Sequence, residues 1–493
     1  MAPAVHDELR MTHANRSRTR WLACAALILA ARAARAAPDP ETTPPPQDPA
    51  TAPPQDPATA PAEDPPPPPG QESGRIDNVD GEDSSGRVAA RTALFVPKLA
   101  FDVVTYPIDH VIFAEGKFDI GGWYRRWFTC CNGNIGVVPV ATWATGLGFT
   151  AGAEVYDKDT FGEKERTTLE ASWGGTYRLS LAATIDTGRR LGPLRLGAAG
   201  YFDRHPNLPF YGIGNDSSES EAPAQPIDAF NDPTAVHSFF RYQNARAGAF
   251  GDYRLSDEFL ITGRAEYAEL KYTPSTSSPG IEDVYDPGTL VGFDQTTRHV
   301  YAELELRWDT RRTADPYEPD AVHSLGSLAV VSGGYVHQFD NMSPFWHYRG
   351  DFQHYFRIGE GPRVLIGRLH GEGVTGDVMD VPITELPYLG GGTFLRGYTY
   401  ARFRDRIALV GTVQYMWSLF PYASAFVFSD VGRVYRDWSD LTASGLHVGF
   451  GVGLSVYERD SFLADLTLGS SLDGGIVATA EFSPVLDAKP RFR

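Results

Sequence analysis

A chain of 493 residues with a formal charge of -18 and three cysteines excludes two classes at the outset. A nucleic-acid partner requires a basic face for phosphate, and three thiols cannot frame a disulfide scaffold. The composition fits one large unit behind a tail rather than a string of domains.

In chain order, residues 1–36 have the form of a secretory signal peptide. Arg10, Arg16, Arg18 and Arg20 precede the apolar run Trp21–Ala30, and Ala34-Arg35-Ala36 is a small-x-small cleavage site. Cys24 precedes most of the apolar run, the wrong place for a lipoprotein cysteine. Residues 37–95 are proline-rich and repeat PPQDPATA at Pro45–Ala52 and Pro53–Ala60. With too few apolar side chains to offset ordering entropy, this segment is expected to be a disordered, partly polyproline periplasmic linker.

Residues 96–134 form an entry segment. Val96, Leu99, Ala100, Val103 and Val104 fall at helical spacing before Pro107, which predicts a short amphipathic helix at a membrane surface or barrel mouth. Cys130 and Cys131 are adjacent, so a pairing between them closes only a strained ring. They are read as small half-buried residues rather than as a redox site.

Beyond residue 134 the pattern has period two. In Gly445–Tyr457, Leu446, Val448, Phe450, Val452, Leu454 and Val456 oppose His447, Gly449, Gly451, Gly453 and Ser455. Val300, Ala302, Leu304, Leu306 and Trp308 alternate with Tyr301, Glu303, Glu305, Arg307 and Asp309. The polar face holds charges in strand after strand: Arg264, Glu266, Arg368, His370, Glu372, Asp465 and Glu481. Lipid outside, an ion-paired lumen inside and aromatic rims give that pattern, and only a closed barrel satisfies strand edges in lipid. The predicted fold is therefore all-β, a transmembrane outer-membrane barrel of sixteen antiparallel strands over residues 135–483, with a tail at 484–493.

The strands are expected near 135–145, 147–156, 165–174, 176–187, 193–204, 237–254, 258–272, 298–310, 323–337, 345–358, 362–374, 404–418, 421–432, 445–457, 461–470 and 474–482. Long connections at 205–236, 273–297 and 375–403 all follow odd-numbered strands, whereas those after strands four, six, ten, twelve and fourteen are tight. This asymmetry and the even count predict periplasmic termini in an outer-membrane barrel.

Residues 301–482 resemble the bacterial surface antigen family, the BamA/TamA superfamily of outer-membrane assembly and translocation barrels. Four stretches carry the resemblance. LRWDTR contains Asp309, Thr310 and Arg311, similar to the family's periplasmic turn. LGGGTFLRGY contains Gly390, Gly391, Gly392, Leu395, Arg396, Gly397 and Tyr398, similar to its sixth extracellular loop. SDVGRV contains Asp430, and DGGIVATAEF contains Gly475, Ala478, Ala480 and Phe482, similar to the terminal strand read by the insertion machinery. The resemblance implies that the sixth loop turns inward on Gly390–Gly392. Leu395 and Tyr398 would wedge it, and Arg396 would meet Asp430 on the thirteenth strand. The twelfth-strand partner, usually Glu, falls at or near Gln414, one anion in place of two. Ala478, Ala480 and Phe482 are expected on the lipid side. The sequence before the barrel leaves no room for the periplasmic POTRA repeats of the assembly factors, so a repeat-less member is expected.

No G-x-S-x-G, H-E-x-x-H or P-loop occurs. The glycines of Gly449–Gly453 are read as space for a plug or loop. Asp157 and Asp159 lack the spacing of a calcium loop, and His370 with Glu372 is read as part of a paired lumen network rather than as a lipase site. No catalytic residue, cofactor or metal is expected. The implied partners are outer-membrane lipids and unfolded outer-membrane protein clients, handled by lateral opening of the seam between the first and last strands. The alternative is a passive pore or surface-binding barrel; an outer-membrane lipolytic enzyme is a remoter one.

Overall fold

The computed structural model describes residues 128–131, 134–175, 178–216, 220–230, 235–311, 325–339, 342–359, 363–420, 423–458 and 461–481. The signal peptide, the linker, the amphipathic helix, Phe482 and the C-terminal tail fall outside the described residues.

Sixteen strands close on themselves. They are β1 (Ile135–Ala144), β2 (Gly148–Asp157), β3 (Thr167–Gly174), β4 (Arg178–Asp186), β5 (Leu194–Phe210), β6 (Ser238–Arg254), β7 (Phe259–Pro274) and β8 (Thr296–Asp309). There follow β9 (Gly326–Gln338), β10 (Phe345–Arg357), β11 (Arg363–Val374), β12 (Ile407–Phe420), β13 (Ala423–Tyr435), β14 (His447–Glu458), β15 (Ser461–Ser471) and β16 (Ile476–Glu481). Each strand pairs antiparallel with its sequence neighbours, and β16 returns to β1. Among the described residues no helix is long and apolar enough to cross a membrane.

The two faces of the wall follow the period of two. Leu304, Leu306, Val331, Leu369 and Val413 are each more than half exposed on the outside, while Glu303, Glu305, Arg349, Asp351 and Arg368 are buried inside. The inward charges pair across strands: Arg264 with Glu303 at 3.1 Å, Arg349 with Glu305 at 2.6 Å and Arg368 with Asp351 at 2.6 Å. Buried charge is tolerated only when paired and hydrogen-bonded, so facing strands must supply opposite signs. Exposed aromatics lie near both ends of the wall, Tyr253 and Phe259 at the short-turn end, Tyr335 and Trp346 at the other, the girdle arrangement of a lipid-facing barrel.

Among the boundaries that differ from the sequence expectation, two have a clear structural cause. β5 runs six residues past 204, through a register shift between His205 and Leu208. Pro206 and Pro209 disguise it, because proline removes a ladder donor and is confined to edges and bulges. β12 starts at Ile407 rather than 404, since Phe403 and Arg404 pair instead with Leu389 and Tyr388.

Described parts of all three long connections pack together. Phe210, Phe230, Ile281, Tyr285, Val378, Val381, Ile383 and Leu386 join Tyr272, Val336 and Phe345 in one buried apolar cluster at the long-loop end. Three loops and the upper wall therefore share a core. A closed ladder backed by such a core should survive detergent without heat: the purified protein is expected to migrate faster unheated than boiled on an SDS gel. Identical mobility in both lanes would count against closure.

Candidate functional site: the loop across the lumen

The connection between β11 and β12 enters the lumen and is fastened at several points. Its tip motif lies against β12–β15. Arg396 is 2% exposed and Asp430 wholly buried. Arg396 donates from Nε to Asp430 Oδ2 at 2.9 Å and from Nη2 to Oδ1 at 2.9 Å, a bidentate fork, while its backbone amide reaches Oδ2 at 2.8 Å. Thr412 Oγ1 adds a fourth donor at 2.8 Å. Nη1 donates to Gln414 Oε1 at 2.9 Å, so the amide takes the donor that a second carboxylate would otherwise accept. The guanidinium also lies 3.7 Å from the centroid of the Phe428 ring, a cation–π contact in a desolvated site.

Glycines set the depth of the loop. A Cβ at Gly449 would stand 1.8 Å from the Arg396 carbonyl oxygen, and one at Gly397 would stand 2.2 Å from that of Ser470. Gly451 and Gly453 leave space for the rings of Phe428 and Phe426. Leu395, fully buried, sits at φ +54°, a strained value for a branched residue that surrounding contacts must hold. Gly390 and Gly391 take φ of +109° and +110°, and their amides bond to the Phe394 and Tyr398 carbonyls at 3.0 Å each. They draw the two arms of the loop together; Gly392 lies between them and the tip. Tyr398 packs with Leu395, Leu389 and Phe403 against Ala408 and Val410, and its hydroxyl donates to Asp473 at 2.6 Å.

Three further anchors, Glu385, Arg246 and Phe394, were not singled out from sequence. Glu385 is 1% exposed and accepts from Arg246 on β6 at 3.0 Å, with Arg246 also donating to Glu266 on β7 at 3.0 Å. Phe394 stacks on His370 of β11 at 4.0 Å between centroids, and Arg368 lies 4.7 Å from the same ring. His370 is itself held by Asp351 at 2.9 Å. The available signal was Glu385 alone in the apolar run VPITELPYL, facing a chain rich in inward arginines. The loop thus joins the β6–β7 wall to the β12–β13 wall.

The remaining motif residues stand elsewhere. At the short-turn end Arg311 folds back on Asp309, Nε to Oδ1 at 2.9 Å and Nη2 to Oδ2 at 2.8 Å, and reaches the Tyr355 hydroxyl at 3.2 Å. Thr310 brackets Ser327, its amide donating to the Ser327 carbonyl and its hydroxyl accepting the Ser327 amide, both at 2.8 Å. Gly475 turns at φ +86° into β16. Ala478 and Ala480 are half-buried on the outward side of β16, between buried Val477 and Thr479. Among the described residues no group of His, Cys, Asp and Glu could hold a metal ion.

A closed antiparallel barrel with an apolar exterior, aromatic rims and an ion-paired lumen is a transmembrane β-barrel. Residues 147–458 match the family model described as the Omp85 superfamily domain. The chain belongs to the Omp85 superfamily. Among solved structures it is similar to BamA from Haemophilus ducreyi lacking POTRA domains 1-3, at 12% identity and TM-score 0.49, over 70% of this chain and 69% of that one. CdiB from Acinetobacter baumannii and CdiB from Escherichia coli each show 13% identity, TM-score 0.44 and 70% coverage of this chain. The chain spans 58% and 62% of those two. No curated protein is significantly similar in sequence.

Removing either member of the Arg396–Asp430 pair leaves a buried charge, at a cost of about 3–5 kcal/mol for such sites. Asp430→Ala should be the worse, because a carboxylate can take up a proton whereas a guanidinium cannot shed one. The expected result is a lowered unfolding midpoint and protease cleavage within 375–406, larger for Asp430→Ala than for Arg396→Ala. Equal resistance of both variants and the parent would show that the pair does not hold the loop.

Proposed function

We propose that this Omp85 barrel acts in inserting or translocating proteins at the bacterial outer membrane, with the β1–β16 seam as the lateral exit. The observation behind this reading is the seam's ladder. Among the described residues, which end at Glu481 on this strand, β16 meets β1 at Thr479–Ala144 and Ala480–Trp143, with Thr145 bonded to Ala478 just beyond. Each side of the seam is poor in stabilising features. β1 carries Pro139, which has no amide hydrogen to donate, and after Ile476 the outward face of β16 continues only with the small Ala478 and Ala480.

Opening such a seam exposes unpaired strand edges, and an incoming strand satisfies them by β-augmentation. The short-turn end is then the periplasmic end. The loop fastened by Arg396 and Glu385 keeps the rest of the wall together while the seam parts. The family resemblance supplies the partners: unfolded outer-membrane protein clients and the lipid around the barrel.

The test places cysteines at Ala144 and Thr479 in a Cys130→Ser/Cys131→Ser background and measures insertion of an unfolded barrel client into liposomes. Insertion should speed up with the reduced protein, stop on cross-linking and recover on reduction. Equal activity when cross-linked would remove the seam as the exit. No acceleration by the reduced protein, together with a large steady conductance, would instead mark a passive pore.

A further inference from the structure

At the short-turn end, beside β1 to β6, lies a cavity of about 760 Å³. Lys158, Lys164, Arg166, Arg189, Arg195 and Arg254 line it, against two acids, Asp159 and Asp186. This positive excess runs against a chain in which 62 acidic residues outnumber 44 Lys and Arg. Two of the six lysines in the sequence stand here.

The two acids are already engaged. Asp159 Oδ1 accepts the Lys164 amide at 2.9 Å, and Asp186 Oδ1 accepts that of Gly188 at 2.8 Å. Arg195 is paired with Asp252 at 2.6 Å. Among the described residues Lys158, Lys164 and Arg189 have no ion pair within 4.0 Å.

The walls are built in advance. Glu165, 3% exposed, ties the β2–β3 turn to the β4–β5 turn. It accepts the Phe161 and Glu163 amides at 3.2 and 2.9 Å and Arg190 Nη2 at 2.6 Å. Burial alone would raise its pKa, but those amides and Arg190 outweigh burial and hold it below the ordinary value. Its contribution is therefore present above that ordinary value and is lost as pH falls through the lower folded one. The Arg189 amide donates to the Glu163 carbonyl at 2.9 Å. Gly188, at φ +56°, packs so closely that a Cβ would stand 2.3 Å from the Lys164 backbone.

We infer that this cavity is a binding site for a phosphate-bearing anion. A single carboxylate is satisfied by one arginine fork. Cations converging from the β2–β3 turn, the β4–β5 turn, β5 and β6 suit a group that spreads up to two negative charges over several oxygens. A phospholipid headgroup from the adjacent leaflet and a soluble phosphate compound share this chemistry. The site does not depend on the seam or on insertion activity.

The test titrates the full chain, in phosphatidylcholine nanodiscs, with inorganic pyrophosphate by calorimetry. Saturable binding that weakens with salt is expected. The Lys158→Gln/Lys164→Gln/Arg189→Gln variant should bind at least tenfold more weakly while keeping its heat-modifiable mobility. Loss of pyrophosphate binding in discs containing phosphatidylglycerol assigns the site to a headgroup; retained binding assigns it to a soluble ligand. The inference is overturned if pyrophosphate does not saturate, if the triple variant binds within twofold of the parent, or if a hexaglutamate peptide binds more tightly than pyrophosphate.

Discussion

A guanidinium with almost no exposed surface must have its charge met where it lies, because an arginine does not deprotonate in a protein. Arg396 therefore fixes more than its own position. Asp430 has to face inward on β13, Thr412 and Gln414 have to stand beside it on β12, and Phe428 has to offer a ring face. Those demands set the register of β12 on β13 and place the loop tip at one depth in the lumen. The charge count also closes: one cation is balanced by one anion, and the amide of Gln414 supplies the remaining acceptor without adding charge.

The glycines of β14 and β15 follow from the same constraint. A loop whose backbone lies on the wall needs a wall without side chains beneath it, which is why Gly449 and Gly469 face the Arg396–Gly397 backbone. On the opposite side, Arg246 holds Glu385 between β6 and β7. A loop attached to both walls couples them mechanically, and the apolar cluster above it joins the other long loops to the same support.

The seam is where this reinforcement stops. Tyr398 reaches Asp473 at the turn before β16, but no loop anchor described above falls on β1. Among the described residues the crossing loop is fastened to β6 and to β11 through β15, and none of the anchors described above lies on β1 or β2. Local opening takes place where stabilising contacts are few, which gives the proposed exit its place in the barrel. The basic cavity below β1 to β6 lies toward the same end of the sheet order, yet its order comes from its own two turns and not from the crossing loop.

The sequence by itself determined the class of fold, the strand number and the sidedness of each strand. Those depend on a local period of two, which a strand between lipid and a wet lumen must obey residue by residue. It also displayed Arg396, Asp430 and Gln414, since a short motif among apolar residues stands out without knowledge of contacts. Tertiary structure decided the rest. Arg246 and Glu385 are 139 positions apart, and nothing in either neighbourhood specifies the other as partner. Phe394 meets His370 only because the loop turns inward, and β5 outran its expected end because Pro206 marks a bulge as readily as a stop. Asp159 and Glu165 lay in a stretch that resembled a faulty cation loop. Folded, their oxygens accept backbone amides, and Lys158, Lys164 and Arg189 face a common cavity. Side-chain chemistry is local and legible in a sequence; which groups converge is set by closure of the barrel.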